Sequence, residues 1–191
     1  MSEADRERWE KRWRDREGDP GLPEPWLVAN VHHLPRGPVL DVAAGAGRNA
    51  LWLAARGFPV TALDISPTAL EQLSLAALGR RVEVATRCAD LDDPAALDGL
   101  GPFTGLVVVR YKPSPAQWAR LLERLAPSGR VLLCSFGRER ARAGGFDPAF
   151  CLEEAELRAT LEPGFVCLVY ERLGAATDWL EGSIWEKRRP P

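Results

Sequence analysis

Short apolar runs alternate with helix-like segments through the middle of the chain, and this alternation limits the fold more than any other feature. Each run is short and continuously apolar, which is typical of strands in a parallel sheet that is covered on both faces. The sequence therefore predicts an α/β fold with a doubly wound, mostly parallel sheet. The predicted strands are 39–42, 60–63, 82–85, 106–109 and 131–134, and the predicted helices are 48–56, 67–78, 115–125 and 153–161.

Two further β-rich segments follow the last predicted helix. They cover residues 165–173 and 177–185, and the dipeptide Gly174-Ala175 separates them. Such a pair is typical of an antiparallel hairpin, which we place at the edge of the sheet.

The amino-terminal segment has a different pattern. Residues 3–17 carry interleaved charges, with Trp9 and Trp13 four residues apart on one side of a predicted helix. We expect residues 1–37 to form a helical extension that acts as a lid, and residues 38–191 to form one compact domain. A chain of 191 residues has little room for a separate substrate domain.

Composition excludes several classes of function. The formal net charge of −2 gives no global attraction to nucleic acid or to an anionic membrane. The charged amino terminus and the lack of an apolar run of roughly 20 residues predict a cytoplasmic protein with no membrane partner. Nucleic acid remains possible through Arg138, Arg140 and Arg142, although a solvated loop is favoured there. The four cysteines form no C-x-x-C pair, so no metal site is predicted, and nothing indicates an oligomeric state.

The segment from Asp41 to Gly47 predicts a cofactor loop, because a strand ends in an aspartate and a glycine loop opens the next helix. Gly45-x-Gly47-x-x-Ala50 also matches the dinucleotide fingerprint G-x-G-x-x-A, but such a match alone is weak. A carboxylate at Asp41 would repel a dinucleotide's pyrophosphate. The cationic ammonium and sulfonium groups of S-adenosylmethionine (SAM) tolerate that charge, so Asp41 favours SAM.

Two more acids follow the next two predicted strands. Asp64 can accept hydrogen bonds from both hydroxyls of a ribose, in NAD as well as in SAM. Asp90 can accept a hydrogen bond from an adenine amino group. The alternatives are that Asp41 and Asp64 only cap helices, and that Asp90 belongs to a solvated turn.

With these residues, the run from Val39 to Leu73 together with Asp90 resembles the cofactor half of class I SAM-dependent methyltransferases. It is especially similar to the small tellurite-resistance and thiopurine-type enzymes. The resemblance implies a seven-stranded sheet in the order 3-2-1-4-5-7-6. It also implies the following contacts with SAM: methionine with Asp41, Ala43, Gly45 and Gly47, ribose with Asp64, and adenine with Ile65, Asp90 and Leu91. Ala43 departs from the family, which usually has its first glycine there.

The residues after the fourth predicted strand should line the acceptor end of the site. Arg110 can orient an anionic acceptor, and Tyr111 can pack against the sulfonium or the acceptor. The alternative is a solvated loop. His32 and His33 precede the first strand, and a packing or surface role is favoured over a base.

The sequence thus predicts a SAM-dependent methyltransferase that acts on a small molecule or small anion by in-line transfer. An RNA or protein methyltransferase is the first alternative, and it would need a continuous basic surface. The second is a non-catalytic SAM- or NAD(P)-binding module.

Overall fold

The computed structural model describes residues 3–16, 18–175 and 178–189, with side chains from residue 6 onward. Its seven strands form one sheet in the order β3-β2-β1-β4-β5-β7-β6. β1 to β5 are parallel, and β7 runs antiparallel to both β5 and β6. This confirms the predicted fold class and strand order. The strands are β1 (Val39–Val42), β2 (Val60–Asp64), β3 (Val84–Cys88), β4 (Phe103–Val109), β5 (Leu125–Phe136), β6 (Phe165–Arg172) and β7 (Leu180–Lys187).

Seven helices accompany the sheet in the described part of the chain. Two of the crossover helices begin with proline behind a serine cap. Ser66 accepts a hydrogen bond from the Ala69 amide, and Ser114 forms a reciprocal capping box with Gln117. The α-helices are α1 (Glu3–Arg14), α2 (Pro25–Asn30), α3 (Arg48–Ala54), α4 (Pro67–Arg80), α5 (Pro115–Glu123), α6 (Arg138–Arg142) and α7 (Glu154–Leu161), and short 3-10 turns cover Val31–His33 and Pro148–Phe150.

Several predicted boundaries were wrong. β3 lies at Val84–Cys88 rather than 82–85, because it is an edge strand whose side chains are largely exposed and apolar content does not mark it. Leu125 begins β5 instead of ending a helix. The segment with the three arginines is helix α6, not a loop. Thr177, predicted to begin the last strand, lies outside the described residues.

The core consists of two clusters, one on each face of the sheet. Leu40 and Val42 of β1 join the cluster that contains Trp185, whereas Val39 joins the cluster that contains Trp26. This alternation is what a sheet covered on both faces requires. Within the described residues, no helix combines the length and apolarity that a bilayer crossing needs.

Candidate cofactor and acceptor site

The glycine loop after β1 turns sharply into α3. Ala43, Gly45 and Gly47 all adopt left-handed backbone conformations, with φ angles of 54°, 56° and 80°. Gly47 precedes α3, and a Cβ atom there would lie 2.1 Å from Cδ1 of Leu73 in α4. A glycine at position 47 therefore lets α3 and α4 approach each other. At Ala43 the left-handed conformation is borne by a residue with a Cβ, which costs free energy.

Asp41 is a buried carboxylate with one unused oxygen. Its side chain is 1% exposed, and it accepts a hydrogen bond from the Ala50 amide in the first turn of α3. Its Oδ2 atom is buried and has no hydrogen-bond partner in the described structure. Burial raises the pKa of Asp41 to about 7. If Asp41 only capped a helix, the bond from the Ala50 amide would account for one carboxylate oxygen. The other oxygen would still need a hydrogen-bond donor or a positive charge.

Asp64 links the end of β2 to the glycine loop. Its Oδ2 accepts a hydrogen bond from the Gly45 amide at 2.7 Å, and its Oδ1 accepts one from the Ser66 amide at 2.9 Å. The cap of α4 is Ser66 itself, so Asp64 is not the helix cap. Burial raises the pKa of Asp64. Each carboxylate oxygen has a second lone pair, so Asp64 can still accept hydrogen bonds from a ligand.

The predicted adenine-binding residues lie after β2 and β3. Ile65 and Leu91 are buried, at 8% and 4% exposure. Asp90 is half-buried, and its Oδ1 accepts a hydrogen bond from the Asp92 amide at 2.9 Å. This turn geometry agrees with the turn alternative for Asp90, while its role toward adenine stays a prediction.

Helix α1 lies across the carboxyl ends of β1 and β2. A Cβ atom on Gly45 would be 2.4 Å from Cζ2 of Trp13, so the indole rests against the glycine loop. Glu10 accepts hydrogen bonds from the hydroxyls of Ser66 and Thr68 at the start of α4. Trp13 is therefore near the predicted cofactor residues. Trp9 is instead packed against guanidinium groups of α1, with Arg12 5.1 Å from its ring centroid.

A buried carboxylate joins the glycine-loop helix to the end of β4. Glu24, just before α2, is 3% exposed, and its Oε2 accepts hydrogen bonds from Arg48 Nη2 and Arg110 Nε, both at 3.1 Å. Arg110 Nη1 also donates to Asp178 Oδ2 at 3.1 Å. Arg110 itself has a left-handed backbone with φ 54°. The structure thus holds the Arg110 guanidinium between two carboxylates.

Tyr111 is turned toward α5. Its hydroxyl donates to Gln117 Oε1 at 2.8 Å, and Gln117 Nε2 donates to Asp92 Oδ1 at 2.8 Å. Burial raises the pKa of Tyr111 to about 12, so the hydroxyl is neutral at physiological pH. In the described structure this chain of hydrogen bonds connects the loop after β4 to the turn after β3. Contact of Tyr111 with a ligand stays a prediction.

The two histidines lie toward the amino-terminal ends of the parallel strands, opposite the glycine loop. His33 ends the short helix before β1, and its carbonyl accepts a hydrogen bond from Arg130 at the amino-terminal end of the paired β4 and β5 segments. The favoured packing or surface role for the histidines agrees with this position.

Sequence reasoning missed Glu24 and Asp178. Glu24 lies in a proline-rich connection and Asp178 between β6 and β7, where no periodic pattern marks a residue. The one available signal was the position of Glu24, an acid immediately before the Pro-Trp-Leu segment of α2.

Comparison with known proteins agrees with this geometry. Residues 39–132 match a family model described as a methyltransferase domain. The ubiquinone biosynthesis O-methyltransferase of Alkalilimnicola ehrlichii is 36% identical over 107 residues, which cover 52% of this chain and 42% of that protein. The match thus spans less than half the length of this curated relative.

Solved structures extend the similarity to nearly the whole chain. A structure titled for the conversion of a disulfide bond into a thioacetal group during echinomycin biosynthesis has a TM-score of 0.75 at 21% identity, covering 95% of this chain and 92% of that one. Magnesium protoporphyrin IX methyltransferase of Synechocystis PCC 6803 with bound SAH has a TM-score of 0.72 at 17% identity, covering 96% and 98%. Identities this low show the fold alone.

The strand order, the acidic glycine loop and the family match define a class I SAM-dependent methyltransferase domain. The chain matches that family over residues 39–132, just under half of its length. Its residues fit the family's cofactor, because the unpaired Oδ2 of Asp41 suits a cationic ammonium group and Asp64 keeps lone pairs for hydroxyl donors. No cluster of His, Cys, Asp and Glu that could hold a metal occurs among the described residues.

Proposed function

We propose that the chain transfers a methyl group from SAM to a small molecule or small anion. The single observation that carries this proposal is the position of Arg110, directly after β4 and fixed by Glu24 beside the helix that follows the glycine loop. A guanidinium held in one orientation offers paired N–H donors to a carboxylate or another oxyanion. The names of the relatives support a small acceptor, since they refer to ubiquinone biosynthesis and to magnesium protoporphyrin IX.

The cofactor residues have separate tasks in this proposal. Asp41 and the glycine loop hold the methionine part, Asp64 holds the ribose, and Ile65, Asp90 and Leu91 hold the adenine. When bound, SAM supplies a methyl group on a sulfonium; the acceptor atom bonds to the methyl carbon as the carbon–sulfur bond breaks, and the electron pair stays with sulfur. Arg110 aligns the acceptor for this in-line displacement.

The site also suits an acceptor that arrives already ionised. Tyr111 has a pKa of about 12, and its hydroxyl donates a hydrogen bond to Gln117. It is therefore protonated at neutral pH and cannot act as a base. His32 and His33 lie toward the amino-terminal ends of the strands, away from the glycine loop. An anionic acceptor needs no base, because its nucleophilic lone pair is available before the reaction.

An RNA or protein acceptor is less well supported. Two arginines of α6 have acidic partners, with Arg138 bound to Glu153 and Arg142 bound to Glu139. These carboxylates interrupt the basic surface that a polyanion would need.

The test of this function combines binding with turnover. We expect calorimetry to show binding of SAM and S-adenosylhomocysteine but not of NAD or NADP at comparable concentration. A screen with radiolabelled methyl groups should then find a small acceptor. SAM binding without transfer to any small molecule, or tight NAD binding without SAM binding, would contradict the proposal.

Arg110→Ala gives a sharper test once an acceptor is found. Loss of charge-assisted hydrogen bonds should lower kcat/KM. The fall should correspond to an activation free energy that is about 1.5 to 3 kcal/mol higher than in the wild type. SAM affinity should change little, because Asp41, Asp64 and the glycine loop hold the cofactor. Arg124→Ala, which removes an arginine that pairs with exposed Asp98, is the matched control. Wild-type turnover by Arg110→Ala would remove Arg110 from the acceptor site.

A further inference from the structure

Three phenylalanine rings form a cluster beyond the end of β5. The centroids of Phe136 and Phe146 are 4.5 Å apart, and those of Phe146 and Phe150 are 6.5 Å apart in an edge-on arrangement. Phe136 is the last residue of β5, so the cluster begins beside Arg110, which follows the neighbouring strand β4. Phe146 is half-buried and Phe150 is exposed, although both are apolar.

A guanidinium group accompanies each of the three rings. Arg110 lies 5.5 Å from the centroid of Phe136, Arg140 lies 5.4 Å from that of Phe146, and Arg8 of α1 lies 6.0 Å from that of Phe150. A guanidinium over a ring still presents N–H donors at its edge. The Nε atom of Arg140 is buried and has no hydrogen-bond partner in the described part of the chain. The cluster thus combines flat apolar surface with donors for an anion.

The two carboxylates on Arg110 differ in how firmly they are held. The Glu24 side chain is 4% exposed and also binds Arg48, whereas the Asp178 side chain is 53% exposed. An exposed ion pair contributes little to stability, because water screens it. Asp178 and the next residue, Trp179, both have left-handed backbones, with φ 59° and 55°, so this segment is strained. Asp178 is therefore the carboxylate that a ligand can replace.

We infer that the methyl acceptor is a planar aromatic anion. Its ring lies against Phe136 and Phe146, and its charged group binds Arg110 in the place of Asp178. Glu24 stays in position and keeps the guanidinium oriented. This inference rests on the proposed function and names the acceptor's chemical class.

The physical reason is that the aromatic surface of the phenylalanine cluster and the Arg110 guanidinium lie side by side. Aromatic surface alone would suit a neutral ring, and Arg110 alone would suit any small oxyanion. Because the Arg110 guanidinium stands over the Phe136 ring, an anion bound at its edge holds any attached ring close to the phenylalanine cluster. Aromatic pairs add a favourable interaction beyond the burial of apolar area.

Three small probes separate these features. Benzoate carries both the ring and the charge, cyclohexanecarboxylate carries the charge on a non-aromatic ring, and benzyl alcohol carries the aromatic ring without the charge. We would titrate each by ligand-observed NMR into the full chain saturated with S-adenosylhomocysteine. Benzoate should bind about fivefold more tightly than cyclohexanecarboxylate, and tighter than benzyl alcohol by about tenfold or more.

Variants then locate the site. Arg110→Gln should weaken benzoate binding by about tenfold or more. Phe136→Leu should abolish the preference for benzoate over cyclohexanecarboxylate. Asp178→Asn should strengthen benzoate binding by about threefold, because the competing carboxylate is gone. Asp98→Asn, which removes an exposed partner of Arg124, should leave benzoate binding unchanged.

The gain with Asp178→Asn is the decisive result, since a residue that merely stabilised the fold would not improve affinity when altered. Equal affinity for benzoate and cyclohexanecarboxylate, absence of benzoate binding, or no gain with Asp178→Asn would each overturn the inference. Methyl transfer is not measured here, so these outcomes leave the proposed function to be decided separately by the labelled-methyl screen.

Discussion

The indole of Trp13 lies directly against the backbone of Gly45. A Cβ atom on Gly45 would be only 2.4 Å from Cζ2 of that ring. Gly45 belongs to the loop that the family resemblance assigns to the methionine part of SAM. We therefore predict that cofactor binding at this loop displaces the Trp13 ring, and with it helix α1.

The first prediction concerns this contact. Trp13→Ala should accelerate association of a fluorescent S-adenosylhomocysteine analogue, measured by stopped flow, because the ring no longer covers Gly45. Turnover should fall, since α1 would shield the methyl group from water less well. Trp9→Ala is the matched control, because the Trp9 ring packs on arginines of its own helix. An association rate equal to that of the wild type would mean that Trp13 only attaches α1 to the domain.

The second prediction concerns the pH dependence of stability. Burial raises the pKa of Asp41 from 3.8 to about 7, so the folded protein holds a proton there that the unfolded chain releases near pH 4. The free energy of unfolding should therefore fall as pH rises from about 4 to about 7. Asp41→Asn removes this loss, so its free energy of unfolding relative to the wild type should rise by roughly 4 kcal/mol between pH 4 and pH 8.

Urea unfolding at pH 4, 6 and 8 measures the difference between Asp41→Asn and the wild type. Asp98→Asn, which removes an exposed carboxylate, serves as the control. The same Asp41→Asn protein should bind SAM more weakly, because the negative charge near the ammonium group is gone. A stability difference that is constant from pH 4 to pH 8 would contradict the raised pKa.

The third prediction concerns Asp64. Asp64→Asn should weaken SAM binding by about 1.5 to 3 kcal/mol, the range for losing hydrogen bonds to a charged group. Asp64→Ala should also lower the melting temperature, because it leaves the amides of Gly45 and Ser66 without their acceptor. Calorimetry and thermal unfolding separate the two effects. An unchanged dissociation constant in Asp64→Asn would limit this residue to holding the loop.

The fourth prediction concerns the strained position in the loop. Ala43 has φ 54°, where a residue with a Cβ costs roughly 1 kcal/mol. Ala43→Gly should therefore raise the melting temperature by about 2 to 4 °C. Ala44→Gly, next to it but not left-handed, should lower stability by about 0.5 to 1 kcal/mol. Equal effects of the two variants would show that backbone strain at Ala43 is not the cause.

The buried strands and the glycine loop could be predicted because each leaves a local mark in the sequence. β1 was placed at its observed bounds, and β2 and β4 came close, since their residues are almost all buried. β3 was displaced because its side chains are largely exposed at the edge of the sheet. Local patterns also placed Asp41, Asp64 and the glycines around the ends of β1 and β2, where the structure has them, and their contacts with SAM stay predictions.

Contacts between distant segments could not be predicted in the same way. Glu24 meets Arg110 across 86 positions, and Ser66 meets Glu10 across 56. Each of these residues lies in a connection or on a charged helix, where many side chains have the same local pattern. Only the folded sheet selects which of them meet.

The packing of Trp26 connects the antiparallel strands to the segment that holds Arg110. A Cβ atom on Gly182 of β7 would lie 2.3 Å from the Trp26 indole, whose Nε1 donates to Glu171 of β6 at 2.7 Å. Glu24, two residues before Trp26, thus lies between the antiparallel strands and α3, where Asn49 accepts a hydrogen bond from the Glu24 amide. A substitution in β6 or β7 that shifts Trp26 is therefore expected to reach Arg110 through Glu24, even though neither strand touches that guanidinium through its own residues 165–172 or 180–187 in the described hydrogen bonds.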